Sequence, residues 1–129
     1  MRIVSGEFRG RTLHVPPGAA TRPTSDRARQ AIFNILEHAP WAGPLRDARV
    51  IDLFAGSGAL GFEALSRGAA RALFFDLDRR SLEAVEKNLE RLGFAGKGRA
   101  VYGSAFEAAA RLEPADLVFV DPPYDFYVE

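Results

Sequence analysis

Val50-Ile-Asp52-Leu-Phe-Ala-Gly56-Ser-Gly58-Ala-Leu-Gly61 is the stretch on which the reading of this chain turns. A short apolar run, Val50–Phe54, ends in a glycine-rich turn, and a helix is expected from Ala59 to about Arg67. The same alternation repeats downstream. Ala72–Phe75 is a second apolar strand leading into an amphipathic helix over Arg79–Leu92, and Ala100–Tyr102 is a third, followed by a helix over Phe106–Leu112. Leu117–Val120 is a fourth, ending at Asp121-Pro122-Pro123-Tyr124. Short apolar strands alternating with helices predict an α/β fold of Rossmann-like type, a parallel sheet with helices on both faces. Ligands of such sheets bind beyond the carboxyl ends of the strands. Asp52, Asp76, Ser104 and Asp121 all fall there.

Upstream, Arg2–Ser5 and Arg11–Val15 read as the strands of a hairpin around a turn at Gly6–Gly10, and Pro16, Pro17 and Gly18 break the chain. Thr24 is the expected N-cap of a helix over Ser25–Glu37, with Ala28, Ile32, Ile35 and Leu36 as its buried stripe. The expected organisation is one domain over 1–129: a basic hairpin arm (1–20), a helix beside the ligand site (21–40) and a Rossmann-like core (49–129).

The 129 residues suffice for one domain with a real core, and 47% hydrophobic against 26% charged residues is the balance of a soluble globular chain. Without cysteine there is no disulfide, thiolate metal site or Cys nucleophile. No apolar run approaches the roughly 20 residues needed to span a bilayer. A cytoplasmic protein without metal or membrane partner, and a monomer, is the expectation. The net charge is zero, yet residues 1–30 hold six arginines (2, 9, 11, 22, 27, 29) against Glu7 and Asp26, a net +4 that the remainder cancels. A basic arm is what a polyanion meets first. His14 and His38 form no cluster with carboxylates and receive no function, and Trp41 is expected to pack in the core.

The turn predicts a nucleoside-containing cofactor. Gly56 and Gly58 let the backbone approach a ligand, Phe54, Ala55 and Ser57 complete the turn, and the next helix presents free N–H groups. Asp76, followed by Leu77, ends the second strand, where a carboxylate can accept hydrogen bonds from both ribose hydroxyls. The alternative is that the glycines only turn the chain and Asp76 caps a helix. Gly56-x-Gly58-x-x-Gly61 with an acid twenty residues beyond Gly56 also matches the dinucleotide fingerprint. Here, however, the strand ends in Asp52, which would repel a pyrophosphate and attract the ammonium of a methionine moiety. S-adenosylmethionine (SAM) is therefore preferred over NAD.

Asp121-Pro122-Pro123-Tyr124 supplies the chemistry. An exocyclic amine of guanine or adenine is a poor nucleophile because its lone pair is delocalised into the ring. A carboxylate (Asp121) and a backbone carbonyl (Pro122) accepting from its two N–H groups pull the nitrogen towards tetrahedral geometry and aim its lone pair at a sulfonium methyl. Pro122 and Pro123 hold φ near −65° and keep those carbonyls aimed, and Tyr124 offers a stacking face worth about 1–3 kcal/mol. Asp121 also stabilises the positive charge developing on nitrogen.

Taken together, Arg2-Ile-Val-Ser-Gly-Glu-Phe-Arg-Gly-Arg-Thr-Leu13, Arg22-Pro-Thr-Ser-Asp-Arg-Ala-Arg-Gln-Ala-Ile-Phe-Asn-Ile-Leu36, Asp52–Gly61 and Asp121–Tyr124 resemble the bacterial small-subunit ribosomal RNA guanine-N2 methyltransferases, class I SAM-dependent enzymes that modify one guanine of 16S rRNA. The resemblance covers essentially the whole chain, and the Arg22–Leu36 block is its most family-specific part. It implies that Asp52, Gly56 and Gly58 line the methionine end of SAM and that Asp76 holds the ribose. Asp121 and Tyr124 would grip the guanine, with Arg22, Pro23 and Thr24 at the mouth of the site. Arg2, Arg9, Arg11 and Arg22 would touch RNA, with ribosomal RNA or the small subunit as partner. Two departures stand out. Ser104 occupies the place where many class I methyltransferases carry an Asp for the adenine amine, which leaves that contact to Ser104 or the Ala105 backbone. Family members also continue past the catalytic motif, so this chain is expected to be a piece whose sheet lacks its C-terminal strands and leaves an edge at the fourth. The alternatives are an adenine-N6 methyltransferase of DNA or RNA, a glutamine methylase (which would more often show Asn at 121), a non-catalytic SAM- or RNA-binding module, and an NAD oxidoreductase.

Overall fold

In the computed structural model, which describes residues 1–15, 25–104, 107 and 114–122, seven elements follow in the order α1 (Asp26–His38), β1 (Arg49–Asp52), α2 (Ala59–Ser66), β2 (Arg71–Asp76), α3 (Arg79–Arg91), β3 (Gly98–Tyr102) and β4 (Leu117–Phe119). The strands form one parallel sheet in the order β3-β2-β1-β4. Asp52 stands opposite Phe74 on β2 and Phe119 on β4, and Asp76 opposite Tyr102 on β3. From β1 the chain winds outward through β2 and β3, then crosses back to place β4 on the other side of β1. This topology is Rossmann-like, and its strand order reverses between β1 and β4, where a crevice opens at the carboxyl ends.

Alternation along β1 and β2 sends Val50, Ala72 and Phe74 to one face and Ile51 and Phe75 to the other. The first face carries the main core. All eight residues of α2 are buried, as befits a helix apolar nearly all round, and Phe62 meets Phe74 with ring centroids 4.8 Å apart. Val85 and Leu89 of α3, Phe33 of α1, and Ile3 and Leu13 of the N-terminal arm join the same cluster. On the opposite face Ile51 and Phe75 form a smaller cluster with Leu53, Leu73, Val101 and Ala115. Of the helix expected over 106–112 only Glu107 is among the described residues, and it is helical; the rest lies outside them.

Three local expectations are corrected. Ser25, not Thr24, caps α1: its side chain accepts from the Ala28 N–H at 3.1 Å. The buried line of α1 is Arg29 and Phe33, whereas Ile32 and Ile35 are exposed, Ile35 by 57%. The helix is rotated because the Arg29 guanidinium is drawn inward to Glu63, 3.6 Å away, to the Arg2 carbonyl (2.5 Å) and to Asp26 (2.7 Å). Trp41, expected in the core, is 74% exposed; it lies in the turn after α1, outside the main cluster.

The hairpin also differs from expectation. Only Arg2 and Thr12 pair as an antiparallel bridge, supported by Ile3 N–H to Arg11 O (2.9 Å), Gly10 N–H to Ile3 O (2.8 Å) and Leu13 N–H to Met1 O (2.8 Å). Other backbone donors of the arm are taken by side chains from distant helices. Val4 and Ser5 donate to the two oxygens of Glu63 at 2.8 and 2.9 Å, and Phe8 donates to Ser66 Oγ at 3.0 Å. His14 exchanges two bonds with the buried Asn88 amide, donating through its N–H (2.7 Å) and accepting at its carbonyl (3.0 Å). The arm is thus docked onto α2 and α3 rather than zipped to itself.

Candidate cofactor and active site

Each strand delivers one residue to the carboxyl edge of the sheet. Asp52 ends β1, Asp76 ends β2, and Ser104 follows β3 by two residues. Asp121 stands two residues beyond β4. Between β1 and α2 the backbone folds tightly: Ala55 donates to Phe75 O at 3.0 Å, Gly58 to Ala55 O at 2.7 Å, and Phe62 to Gly58 O at 2.8 Å. Gly58 has φ +86°, a left-handed conformation, and serves as the N-cap of α2 without a side-chain cap. A Cβ on Gly61 would stand 2.3 Å from Phe74 Cε2, so this glycine lets α2 press onto the sheet.

Asp76 braces this turn. Its Oδ2 accepts from the Gly56 N–H at 2.8 Å and its Oδ1 from the Asp78 N–H at 2.9 Å. Each oxygen keeps a second lone pair for a further donor such as a hydroxyl. Leu77, directly after it, is 57% exposed and presents an apolar surface at the edge. Ser104 Oγ accepts from the Glu107 N–H at 3.0 Å, so this hydroxyl is engaged in turning the chain after β3. Ser57 Oγ donates to Met1 Sδ at 3.2 Å, which brings the start of the chain against the glycine turn.

Asp52 is the unusual group. It is 1% exposed, and neither carboxylate oxygen has a partner in hydrogen-bond geometry. Burial pushes its pKa up to about 7; the Gly61 amide draws it down, the charges of Asp121 and Asp76 raise it again, and the Phe54 amide lowers it slightly. Among the described residues no ion pair reaches Asp52 or Asp76. The carboxyl edge thus gathers three carboxyl groups, and the buried one at its base has no hydrogen-bond partner of normal geometry. Such a site fits a ligand bearing an ammonium and a sulfonium and disfavours one bearing a pyrophosphate. The residues present thus fit SAM. Asp121 is exposed at the rim, near enough to Asp52 to act on it electrostatically, and Pro122 is half-buried beside it.

Of the residues expected at the site, the structure brings together Asp52, Phe54, Ala55, Gly56, Ser57, Gly58, Asp76, Leu77, Ser104, Asp121 and Pro122 at one edge. Arg22, Thr24, Ala105, Pro123 and Tyr124 lie outside the described residues. Arg2, Arg9 and Arg11 are exposed on the arm; Arg2 reaches Asp26 at 3.4 Å, and the Arg11 guanidinium lies 5.8 Å from the centre of the Phe8 ring. Sequence reasoning passed over Glu63, Arg29 and Asn88, which hold the arm and α1 against the site. The available signal was a lone acid within the otherwise apolar Ala59–Ser66 helix, since a charge there must be paired. Among the described residues no helix is long and apolar enough to cross a membrane, and no cluster of His, Asp and Glu could hold a metal ion.

Comparison with known proteins gives concordant results. The family model described as Conserved hypothetical protein 95 matches residues 1–128. Ribosomal RNA small subunit methyltransferase D of Escherichia coli strain K12 is 45% identical over 126 residues, covering 96% of this chain and 60% of the relative. The protein of the same name from Haemophilus influenzae is 37% identical over 131 residues, covering 98% and 65%. Among solved structures, yhhF from Escherichia coli superposes with a TM-score of 0.83 at 42% identity, over 99% of this chain and 66% of that one. A hypothetical protein from Thermus thermophilus gives 0.79 at 34%, over 99% and 72%. The chain spans about 60% of the length of the Escherichia coli relative. With a family model matched from end to end and an Asp-glycine turn on the switch point of a parallel sheet, the chain belongs to the small-subunit ribosomal RNA methyltransferase D family of class I methyltransferases.

Proposed function

We propose that this chain carries the SAM-binding and catalytic core of a methyltransferase that modifies the exocyclic N2 amine of a guanine in small-subunit ribosomal RNA, acting in the cytoplasm where that RNA is found. The observation that carries the reading is the meeting of Asp52, Asp76 and Asp121 at the carboxyl edge of the sheet, close enough for the charges of Asp121 and Asp76 to act on the buried Asp52. SAM, when bound, supplies an electrophilic methyl group on a cationic sulfur. Asp52 and the amides of the Phe54–Gly58 turn hold its methionine end, and Asp76 accepts from the ribose while keeping the Gly56 amide in place. Leu77 packs on the adenine, with Ser104 or the Ala105 backbone at its polar edge; Arg22 and Thr24 flank the cofactor.

Asp121 and the Pro122 carbonyl then accept hydrogen bonds from the two N–H groups of the target amine. Held in this way, the nitrogen lone pair would be aimed at the methyl group that the cofactor would supply, and the proton lost from nitrogen would pass to solvent. Asp121 offsets the positive charge that builds on nitrogen, Pro123 keeps the motif rigid, and Tyr124 stacks on the base. Positioning supplies most of the rate, with no covalent enzyme intermediate. The relatives' printed names support ribosomal RNA as substrate, and the exposed arginines of the arm supply charge for its backbone.

The test is transfer of labelled methyl from SAM to unmodified small-subunit RNA or subunits, with nucleoside analysis of the product. Labelled N2-methylguanosine is the expected result. Labelled N6-methyladenosine would replace the guanine reading with the adenine one. Tight NAD binding without a calorimetric response to SAM would remove the methyltransferase reading altogether.

A further inference from the structure

A second concavity, lined by charged and amide-bearing residues, lies away from the carboxyl edge of the sheet. It is a groove of about 350 Å³ between the arm and α3, lined by His14, Lys87, Asn88, Glu90 and Arg91. Lys87 and Arg91 are one helical turn apart and therefore share a face of α3. They lie about 12 and 18 Å along the helix axis from Arg79, which starts α3 beside the cofactor edge. We infer that this groove binds the phosphodiester backbone of structured RNA and so forms a substrate contact separate from the methyl-transfer site; the inference rests on the RNA-substrate reading above.

The chemistry of the lining narrows the ligand. Asn88 is the one neutral amide there, and it is fully buried, its Oδ1 accepting from the His14 N–H at 2.7 Å and its Nδ2 donating to the His14 carbonyl at 3.0 Å. The charged groups of the lining are the Lys87 ammonium and the Arg91 guanidinium, opposed by Glu90, with the His14 ring beside them. Long cationic side chains without a further neutral polar group to read shape recognise anionic oxygens rather than base edges. The Arg91 guanidinium also donates to the Thr12 carbonyl, which anchors one wall of the groove to the arm. On that arm Arg11 and Arg9, one and three residues before Thr12, are exposed and add further cations. A backbone phosphate held here, about 12–18 Å along α3 from the cofactor edge, would set the register of the RNA without reading its sequence.

The experiment is fluorescence anisotropy of a labelled, structured 16S rRNA transcript with the 129-residue chain, over a salt series. Parent, Lys87→Gln and Glu90→Gln are compared, with calorimetric SAM binding and thermal unfolding measured in parallel. Among the described residues Lys87 enters no hydrogen bond or ion pair, so its loss leaves the fold and SAM affinity intact. Lys87→Gln is expected to weaken RNA binding and lower the slope of log K against log salt by about one. Glu90→Gln is expected to tighten binding, the opposite direction from any loss of structure. Unchanged affinity and slope in both variants, with the parent binding RNA, would overturn the groove while leaving the RNA reading intact. A parent chain that binds SAM but not the transcript would overturn both.

Discussion

At the scale of single residues, Asp52 is held where an ionised carboxylate is disfavoured. Its pKa rises from 3.8 to about 7, so in that window the folded chain binds a proton that the unfolded chain has released. Its contribution to stability is therefore present below pH 3.8 and is lost as pH rises towards 7, beyond which it is flat. Asp52→Asn should abolish this component. In melting curves between about pH 4.5 and 8.5, the variant should outlast the parent at the alkaline end, while binding SAM more weakly because the acid proposed to face the ammonium is gone. An unaltered difference in melting temperature across that range would refute the assignment. Asp121, by contrast, is exposed at the rim of the site. Asp121→Ala should remove methyl transfer and leave SAM affinity within a few-fold in calorimetry; loss of SAM binding as well would make Asp121 part of the cofactor site instead.

At the scale of elements, Glu63 on α2 collects the arm, α1 and its own helix. It receives the Val4 and Ser5 amides and the Arg67 side chain at 2.9 Å, and faces Arg29. Because Arg29 and Glu63 are both fully buried, removing the acid strands a guanidinium in the core, a change that costs about 3–5 kcal/mol. Glu63→Ala should lower the urea midpoint accordingly and expose residues 1–15 to protease before the sheet unfolds. If the arm stayed as protected as in the parent, the network would not be what docks it. This hub also explains why the helical pattern of α1 misled. Periodicity places Ile32, Ile35 and Leu36 on one face, but the rotation of the helix is decided by Arg29, whose partners lie on α2 and the arm. Arg67 adds to the same assembly, its guanidinium 4.8 Å from the centre of the Phe33 ring and 3.3 Å from Glu37.

At the scale of the whole molecule, charge is partitioned. Acids gather at the carboxyl edge of the sheet, while the first thirty residues carry a net +4. The separation suits a cationic cofactor at one place and a polyanion at another. Replacing Arg9 and Arg11 together by glutamine should weaken RNA binding and flatten its salt dependence by about two in slope, with SAM affinity unchanged. Equal salt slopes for parent and variant would exclude the arm from the RNA contact.

The Asp-glycine turn, the acids at the strand ends and the strand–helix alternation are local signals. Each depends on neighbours a few residues away, and the parallel sheet and its edge of carboxylates were legible from the chain alone. Tertiary contact alone decided which face of α1 turned inward, that Trp41 stayed in solvent, that the arm pairs with Glu63 and Asn88 rather than with itself, and that Asp76 braces the Gly56 amide. The physical reason is the reach of the interactions. Periodicity reports how apolar side chains are spaced along a helix or strand, whereas the partners of a buried charge or amide are set by groups brought together over 58 to 74 residues of chain.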